Sequence, residues 1–361
     1  MNIVHGGDIY SENSAPRLID FSANINPLGM PELVKQVIID NIEKFSSYPD
    51  PLCRELRKAI AKGENTKMES VLCGNGAADI IFKIALALKP KKALILAPTF
   101  SEYEEALKLV SCEACHYLLK EENGFTINSD ILDYITDKLD IMFLCNPNNP
   151  TGIPLKFESV IKIAERCREN KVILVVDECF IDFLIDEEKY SVSKYIDAFK
   201  NLIILKAFTK IYAMAGIRLG YMLCSDKNLI EKISLVGQPW SVSSVANIAG
   251  SSAMLQKDYV KDTKEYIKKN RKYLKYELKK LGFKVFDSKA NYIFFKCEAV
   301  DIKEYLKSKG ILIRSCNNYI GLGENYFRIA VKSREDNEIL IRFMYKYFKE
   351  SSQSENNNGN N

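Results

Sequence analysis

Short apolar runs alternate with amphipathic stretches between about residues 70 and 225. The candidate strands are rich in β-branched residues and cover 91–98, 115–120, 141–147, 172–178, 202–208 and 221–225. Helical periodicity separates several of them, most clearly at 76–88 and 157–170. Continuous apolar strands that alternate with helices are typical of a mostly parallel sheet covered on both faces. The pattern therefore predicts an α/β domain.

The pattern of apolar and polar residues changes at about residue 243. Long helical periodicity covers 244–282, and strand and helix pieces then lead to a closing amphipathic helix at 335–350. This α+β pattern predicts a smaller second domain. The predicted parts are an N-terminal segment (1–35), a large domain (36–243) and a small domain (244–350). A polar, low-complexity tail (351–361) is expected to be disordered.

Composition and charge narrow the class of protein. Of 361 residues, 47% are hydrophobic and 27% charged, as in ordinary globular proteins. The net charge of +4 is small and no basic stripe stands out, which argues against nucleic-acid binding. The N-terminus has no secretory signal and no apolar run reaches the ~20 residues that span a bilayer. The ten cysteines lack metal-ligand spacing. We therefore expect a cytoplasmic protein with reduced thiols and no metal site.

Two loops at predicted strand ends suit a binding site. "CGNGAADII" (73–81) is a glycine turn that opens into a helix, where free backbone N–H groups can bind an anion. An ordinary tight turn would have the same residues. "CNPNNPTG" (145–152) follows a strand and presents Asn148 or Asn149 as a hydrogen-bond donor, although it also suits a plain turn.

Charged residues stand at two further strand ends. Asp177 ends the very hydrophobic strand of "VVDECF", and a buried carboxylate needs a cap or a cation. Lys210 and Arg218 stand eight residues apart in "AFTKIYAMAGIRLGYM" (207–222), which is otherwise almost uncharged. Side chains that lie along apolar surface with their charged ends in water are the simple alternative.

Together these residues describe one ligand, an aromatic cation with a phosphate arm that an amine holds covalently: pyridoxal 5′-phosphate. Lys210, neutral when buried beside another cation, could capture the cofactor aldehyde. Arg218 would pair with the phosphate. Asp177 would keep the pyridine nitrogen protonated, so that the ring accepts electrons. Asn149 would bind the ring hydroxyl and Phe100 would cover one face of the ring.

The order asparagine, aspartate, lysine, arginine resembles the fold-type I aminotransferase superfamily, whose motifs are N-P-T-G, D-E-x-[YF] and S/T-x-x-K with an arginine eight residues on. The resemblance covers nearly the whole chain apart from the tail. It implies the pyridoxal-phosphate-dependent transferase fold of type I, with a seven-stranded type of sheet, and a phosphate cradle at Gly76, Ala77 and Ala78. Ala207 departs from the motif, and Thr209 could supply the missing phosphate contact.

Further segments resemble one family within that superfamily, the L-threonine O-3-phosphate decarboxylases of cobalamin biosynthesis. They are "HGGDIY" (5–10), "LIDFSANINPLGMP" (18–31), "SYPDP" (47–51), "QPWSVSSVA" (238–246), "ANYIFFKC" (290–297) and "ILIRSCNNYIGLGENYFRIAV" (311–331). The resemblance implies conversion of threonine phosphate to (R)-1-amino-2-propanol O-2-phosphate and carbon dioxide, for the aminopropanol linker of cobalamin.

The same resemblance assigns the substrate contacts. Arg328 would bind the substrate carboxylate. The other implied contacts, chiefly to the substrate phosphate, are His5, Gly6, Asn24, Asn149 and Arg314. Tyr48 resembles the family tyrosine that reaches the cofactor phosphate of the neighbouring subunit, which implies a homodimer.

Several alternatives stay open. Histidinol-phosphate aminotransferases share the cofactor motifs but commonly have tyrosine at the position of Phe180. A serine-phosphate decarboxylase would differ by one methyl group of the substrate. A non-catalytic pyridoxal-phosphate sensor is a third possibility, although no basic patch suits DNA. Either Tyr103 or Lys210 could return the proton to the substrate carbon.

Overall fold

The computed structural model describes residues 6, 7, 9, 10 and 18–358. The elements that precede residue 243 are, in chain order, β1 Ile19–Asp20, α1 Glu32–Asp40, α2 Arg54–Gly63, β2 Val71–Gly74, α3 Ala77–Leu88, β3 Lys92–Ala97, α4 Glu102–Lys108, β4 Glu113–Leu118, α5 Ile131–Tyr134, β5 Ile141–Cys145, α6 Phe157–Glu169, β6 Ile173–Asp177, β7 Leu202–Ala207, α7 Phe208–Ile211, β8 Gly220–Cys224 and α8 Lys227–Ser234. The strand and helix pattern predicted for this region is confirmed, with ends that shift by at most two residues.

Seven strands form the main sheet in the order β2-β8-β7-β6-β5-β3-β4. The strands from β7 to β4 run parallel, and β8 lies antiparallel to both β7 and β2. Every side chain of β5, β7 and β8 is buried, as expected for strands with helices on both faces. The predicted α/β fold with a mostly parallel sheet is therefore confirmed. The edge strand β2 was not predicted, because its four residues run directly into the glycine turn.

The remaining elements, again in chain order, are α9 Ser244–Ala253, α10 Lys257–Lys280, β9 Lys284–Val285, β10 Tyr292–Lys296, α11 Ile302–Ser308, β11 Ile311–Leu312, β12 Arg314–Ser315, β13 Tyr326–Ala330 and α12 Arg334–Asn358. Strands β12, β13, β10 and β9 form a second, antiparallel sheet. Its core is aromatic, with Phe295 stacked between the rings of Phe283 and Phe327.

The boundary predicted at residue 244 falls one helix too early. Helix α9 buries Ala246, Ala249 and Ala253 in the core of the large domain, where it packs on α1 and α2. The small domain begins with α10, whose apolar face enters the other core. Helical periodicity continues from α9 into α10 with only a short break, so the pattern alone does not show which core each helix joins.

The N-terminal segment is tied to the small domain. Strand β1 pairs in parallel with β11, which brings Ile19 opposite Ile311. Phe21, just after β1, is fully buried and its carbonyl accepts from the N–H of Ala330. Residues 18–24 therefore lie beside the second sheet, at the junction between the two domains.

The last helix is longer than predicted. It was expected at 335–350, but it runs from Arg334 to Asn358, so most of the expected disordered tail is helical. Residues 351–358 contain no glycine or proline that would stop a helix. Residues 359–361 lie outside the described part of the chain.

Membrane insertion through a helix finds no support in the described residues. None of the helices there is both long and apolar enough to cross a bilayer.

Gly220 sets how closely β8 approaches the start of α3. A Cβ atom there would come within 2.7 Å of the Gly76 carbonyl carbon. We expect Gly220→Ala to lower the free energy of unfolding by about 1–3 kcal/mol, because backbone atoms cannot yield as a flexible side chain would. Urea unfolding of the purified protein measures this loss.

Gly216→Ala is the matched control, because a Cβ at Gly216 would meet no atom within 4 Å. It should change the free energy of unfolding by less than about 0.5 kcal/mol. Equal effects of the two substitutions would contradict the steric explanation.

Candidate active site

A cavity of about 300 Å³ lies at the carboxyl ends of the central strands, where ligands bind in open α/β sheets. The large domain, the N-terminal segment and the second sheet all contribute to its lining. The predicted site residues that line it are Gly6, Asn24, Ala77, Ala78, Phe100, Asn149, Asp177, Thr209, Lys210, Arg218, Arg314 and Arg328. The structure therefore brings together residues spread over more than 300 positions of sequence.

Lys210 lies in α7, directly after β7, and its side chain lines the cavity. Burial lowers the pKa of its amine to about 8, and the charge of Arg328 and, more weakly, that of Arg218 act in the same direction. The charge of Asp177 opposes this shift. The amine is therefore neutral in a substantial fraction of molecules near pH 8, as a nucleophilic lysine requires.

The start of α3 and Arg218 form a cradle suited to a phosphate. Gly76 precedes the helix with φ +85°, and a Cβ there would stand 2.8 Å from Nη2 of Arg218. Its lack of a side chain lets the guanidinium approach the backbone of the helix N-terminus. Thr209 offers a hydroxyl in the same cavity, whereas Ala207, which also lines it, has none. Whether Thr209 replaces the family hydroxyl stays a prediction.

Asp177 ends β6 with its carboxylate in the cavity wall and only 6% exposed. Its Oδ2 accepts a hydrogen bond of 2.6 Å from the Tyr103 hydroxyl, and its Oδ1 accepts one of 2.9 Å from the N–H of Cys179. Tyr103 is fully buried and is not part of the cavity lining. Of the two proton donors left open above, the geometry therefore favours Lys210.

The loop after β5 separates the roles of its two asparagines. Asn148 uses its side chain to bind the neighbouring loop after β3: its Nδ2 donates to the Pro98 carbonyl and its Oδ1 accepts from the Thr99 hydroxyl. Asn149 lines the cavity, and its Oδ1 accepts from Nη1 of Arg328. Because that oxygen is engaged, the amide NH₂ of Asn149 is the group left for a ligand.

Two arginines of the second sheet line the cavity from the neighbouring strands β12 and β13. Arg314 and Arg328 are direct partners in the pairing of these strands. Nη2 of Arg328 donates to the Ser22 carbonyl at 2.7 Å, while its buried Nε has no partner. Arg314 donates to Asn318 Oδ1 at 2.7 Å. Two adjacent guanidinium groups suit a ligand with two anionic groups.

The N-terminal segment closes one side of the cavity. Gly6 packs so closely on Ser22 that a Cβ would stand 2.7 Å from the Ser22 carbonyl carbon. Asn24 lines the cavity, and its buried Oδ1 has no hydrogen-bond partner. An unpartnered buried polar atom beside a cavity is a natural contact for a ligand. His5, predicted as a substrate contact, lies outside the described residues.

Two predicted residues lie outside this lining. Gly76 acts through the backbone, as described. Tyr48 is 83% exposed and is not among the residues that line the cavity, and its ring packs on that of Trp240 with centroids 4.9 Å apart. Tyr48 does not complete the site of its own chain.

Sequence reasoning also missed lining residues. Cys145 and Cys179 flank motif residues, and Tyr319 lies within the quoted segment 311–331, so all three could have been found from their positions. Phe180, where histidinol-phosphate aminotransferases commonly have tyrosine, lines the cavity with its ring edge-on to Tyr292.

The residues present fit pyridoxal phosphate. The cavity has an amine with a lowered pKa, a buried carboxylate in its lining, and a glycine cradle beside an arginine where a side chain would clash. Among the described residues, no group of three or more His, Cys, Asp or Glu side chains is arranged to hold a metal ion. All ten cysteines are free thiols.

The aminotransferase class I and II family model matches residues 16–344. The chain belongs to this family, whose members in general depend on pyridoxal phosphate.

Two related proteins and one solved structure are similar to this chain over most of its length. The threonine-phosphate decarboxylase of Salmonella typhimurium is 37% identical over 351 residues, which cover 94% of this chain and 95% of that protein. The adenosylcobalamin biosynthesis bifunctional protein of Leptospira interrogans is 34% identical over 93% of this chain and 40% of its own length. The crystal structure of the histidinol-phosphate aminotransferase from Clostridium acetobutylicum superposes with a TM-score of 0.86 at 32% identity, over 91% of this chain and 99% of that one.

The lowered pKa of Lys210 can be measured in the protein without cofactor. After reductive methylation with ¹³C-formaldehyde, we expect the resonance of Lys210 to titrate near pH 8, so that the amine is protonated below this pH and neutral above it. Arg328→Gln should move the midpoint to higher pH, because it removes the cation that lowers the pKa most strongly after burial.

Lys206 is the internal control. Burial alone would lower its pKa, but Glu64 and Asp182 raise it well above the usual value. Its resonance should not titrate in the same range. A Lys210 midpoint near that of surface lysines would contradict the proposed environment.

Proposed function

We propose that this protein is a pyridoxal-phosphate-dependent decarboxylase that converts L-threonine O-3-phosphate to (R)-1-amino-2-propanol O-2-phosphate and carbon dioxide. The observation that carries this proposal is a cavity that combines Lys210 with Asp177 on one side and the neighbouring Arg314 and Arg328 on the other. The similarity to the Salmonella decarboxylase supports the choice of reaction. The Leptospira relative supports a role in making the aminopropanol linker of cobalamin.

The cofactor would be held by residues of the large domain. Lys210 would bind its aldehyde carbon, Asp177 would face the ring nitrogen, and Asn149 would donate its amide to the ring hydroxyl. Arg218 and the backbone of Ala77 would hold the phosphate. When bound, pyridoxal phosphate supplies an electron sink for the bond that breaks at the α-carbon.

The substrate would be held by residues of the second sheet and of the N-terminal segment. Threonine phosphate carries a carboxylate and a phosphate, and we assign the first to Arg328 and the second to Arg314. Gly6 and Asn24 would add contacts from the opposite side. Where these groups fix the two anions determines which bond at the α-carbon is aligned for cleavage.

Lys210 would also move the proton. With a pKa of about 8, its Nζ can accept a proton and return it within the range of neutral pH. Tyr103 is less well placed than Lys210 to give a proton to the α-carbon, because its hydroxyl donates to Asp177. Loss of carbon dioxide and return of one proton to the same carbon complete the balance.

A substrate panel tests the proposed reaction. We expect carbon dioxide release from threonine phosphate, and release from serine phosphate that is slower by about 10- to 200-fold, because one methyl group discriminates only to this extent. Amino transfer from histidinol phosphate to 2-oxoglutarate should be absent. Lys210→Ala is the control for background decarboxylation. Amino transfer without carbon dioxide release would replace this proposal with an aminotransferase.

We further propose that two copies of the chain form the working unit, with Tyr48 of each copy completing the cofactor site of the other. An apolar groove of about 620 Å³ next to Tyr48 includes Leu33, Ile248 and Leu255, two of which are among the exposed large hydrophobic side chains. The Tyr48 ring is itself exposed, although it is supported by Trp240. A second copy would cover this surface and bring the Tyr48 hydroxyl to a phosphate.

Mixing two inactive variants tests this shared site. Copies with Lys210→Ala and copies with Tyr48→Ala should each show low activity, and a mixture that exchanges subunits should recover up to about a quarter of the original activity. One of the two sites in each mixed dimer would then be intact.

Both substitutions in one chain provide the control, since no exchange can restore a site from such copies. If the variants form mixed dimers, shown by differently tagged copies, and no activity returns, Tyr48 does not act across the interface.

A further inference from the structure

We propose that Tyr103 is a positioning residue for Asp177. Its hydroxyl holds the carboxylate in one orientation and donates a hydrogen bond to its negative charge, so that the proton between Asp177 and the ring nitrogen of the cofactor would stay on the nitrogen. This inference rests on the proposed function and extends it to a side chain that does not reach the cavity.

The contacts of Asp177 define this role. The carboxylate accepts two hydrogen bonds: Oδ2 accepts from the Tyr103 hydroxyl at 2.6 Å, and Oδ1 accepts from the backbone N–H of Cys179 at 2.9 Å. Each oxygen keeps lone pairs for the cavity side. The backbone donor comes with the turn after β6 and would be present with any residue except proline at position 179, whereas the hydroxyl depends on the tyrosine at position 103.

The Tyr103 ring cannot easily move away from this bond. It is fully buried, is stacked on Phe143 with centroids 5.0 Å apart, and meets Phe100 edge-on at 5.6 Å. Phe100 itself lines the cavity. The hydroxyl is therefore fixed relative to Asp177, and Tyr103→Phe would remove one oxygen atom while the aromatic packing stays.

The hydroxyl is a permanent donor. Burial, and next the charge of Asp177, raises the pKa of Tyr103 well above its usual value, so the phenol keeps its proton. The neighbouring thiols of Cys145 and Cys179 also stay protonated, because burial raises the pKa of each. Neither thiol is therefore an anion that competes with Asp177 for the hydrogen bond of the Tyr103 hydroxyl.

The direction of the effect follows from the charge on Asp177. A donor to a buried carboxylate stabilises the ionised form over the neutral acid. If the hydroxyl is lost, Oδ2 has one donor fewer, and the proton of the ring nitrogen is drawn towards the carboxylate. The ring then carries less positive charge and accepts electrons less well. Tyr103 would thus act on the cofactor only through Asp177.

The experiment compares Tyr103→Phe with the unchanged enzyme, each loaded with pyridoxal phosphate or with its analogue in which CH replaces the ring nitrogen. With pyridoxal phosphate, we expect the dissociation constant of the cofactor to rise about 10- to 100-fold in the variant, the range for a hydrogen bond to a charged group. With the carbon analogue, the two proteins should differ by less than about three-fold, because no proton is shared.

A second readout reports the proton directly. The ¹⁵N chemical shift of ¹⁵N-labelled cofactor should indicate a protonated ring nitrogen in the unchanged enzyme and a shift towards the unprotonated form in Tyr103→Phe. A role limited to packing would leave this shift unchanged.

Tyr292→Phe is the matched control. Tyr292 is also fully buried close to the site, but its hydroxyl donates to the Asn148 carbonyl at 2.9 Å and not to Asp177. We expect this variant to keep the ¹⁵N shift of the unchanged enzyme, whatever it loses in stability.

The outcomes separate the two proposals. Equal weakening of both cofactors by Tyr103→Phe, or an unchanged ¹⁵N shift, would overturn the role of Tyr103. A protein that binds the cofactor and shows the expected differences, yet releases no carbon dioxide from threonine phosphate, would overturn the proposed reaction and leave the role of Tyr103 intact.

Discussion

A buried ammonium group must either pair with a carboxylate or lose its proton. Lys206 and Lys210 show these two outcomes. Lys206 lies in β7 and pairs with Glu64 at 3.0 and 3.1 Å, which holds it charged. Lys210, four residues later, meets arginines in place of a carboxylate partner of its own, and its amine becomes available as a nucleophile. The rest of the site depends on this difference, since no other side chain in the cavity offers a neutral amine.

The two domains divide the work around that amine. The large sheet supplies Asp177, Asn149 and the glycine cradle, each at the end of a strand or the start of a helix. The second sheet supplies Arg314 and Arg328 from paired strands. A hydrogen bond from Arg328 to Asn149 joins the two sets, so the group suited to a substrate anion touches the group suited to the cofactor ring. The position of one domain on the other therefore determines whether the site is complete.

Most of the fold and the cofactor side of the site could be predicted from the chain alone. Asp177, Lys210 and Arg218 stand in local motifs at strand ends, where periodicity and charge report directly on position. Features that depend on distant partners were harder to predict. Helix α9 has the same periodicity in either domain, and only its packing on α1 and α2 assigns it. Tyr103 was considered as a proton donor, because sequence does not show that its hydroxyl points to Asp177, 74 positions away.

The pairing of β1 with β11 has a consequence for how such a protein can change over evolution. Residues 18–24 are anchored on the second sheet. Substitutions there can therefore change the shape of the substrate side of the cavity, while the residues of the main sheet that would hold the cofactor stay the same. New specificities could then arise by exchange of a short border segment, without a redesign of the chemistry behind it.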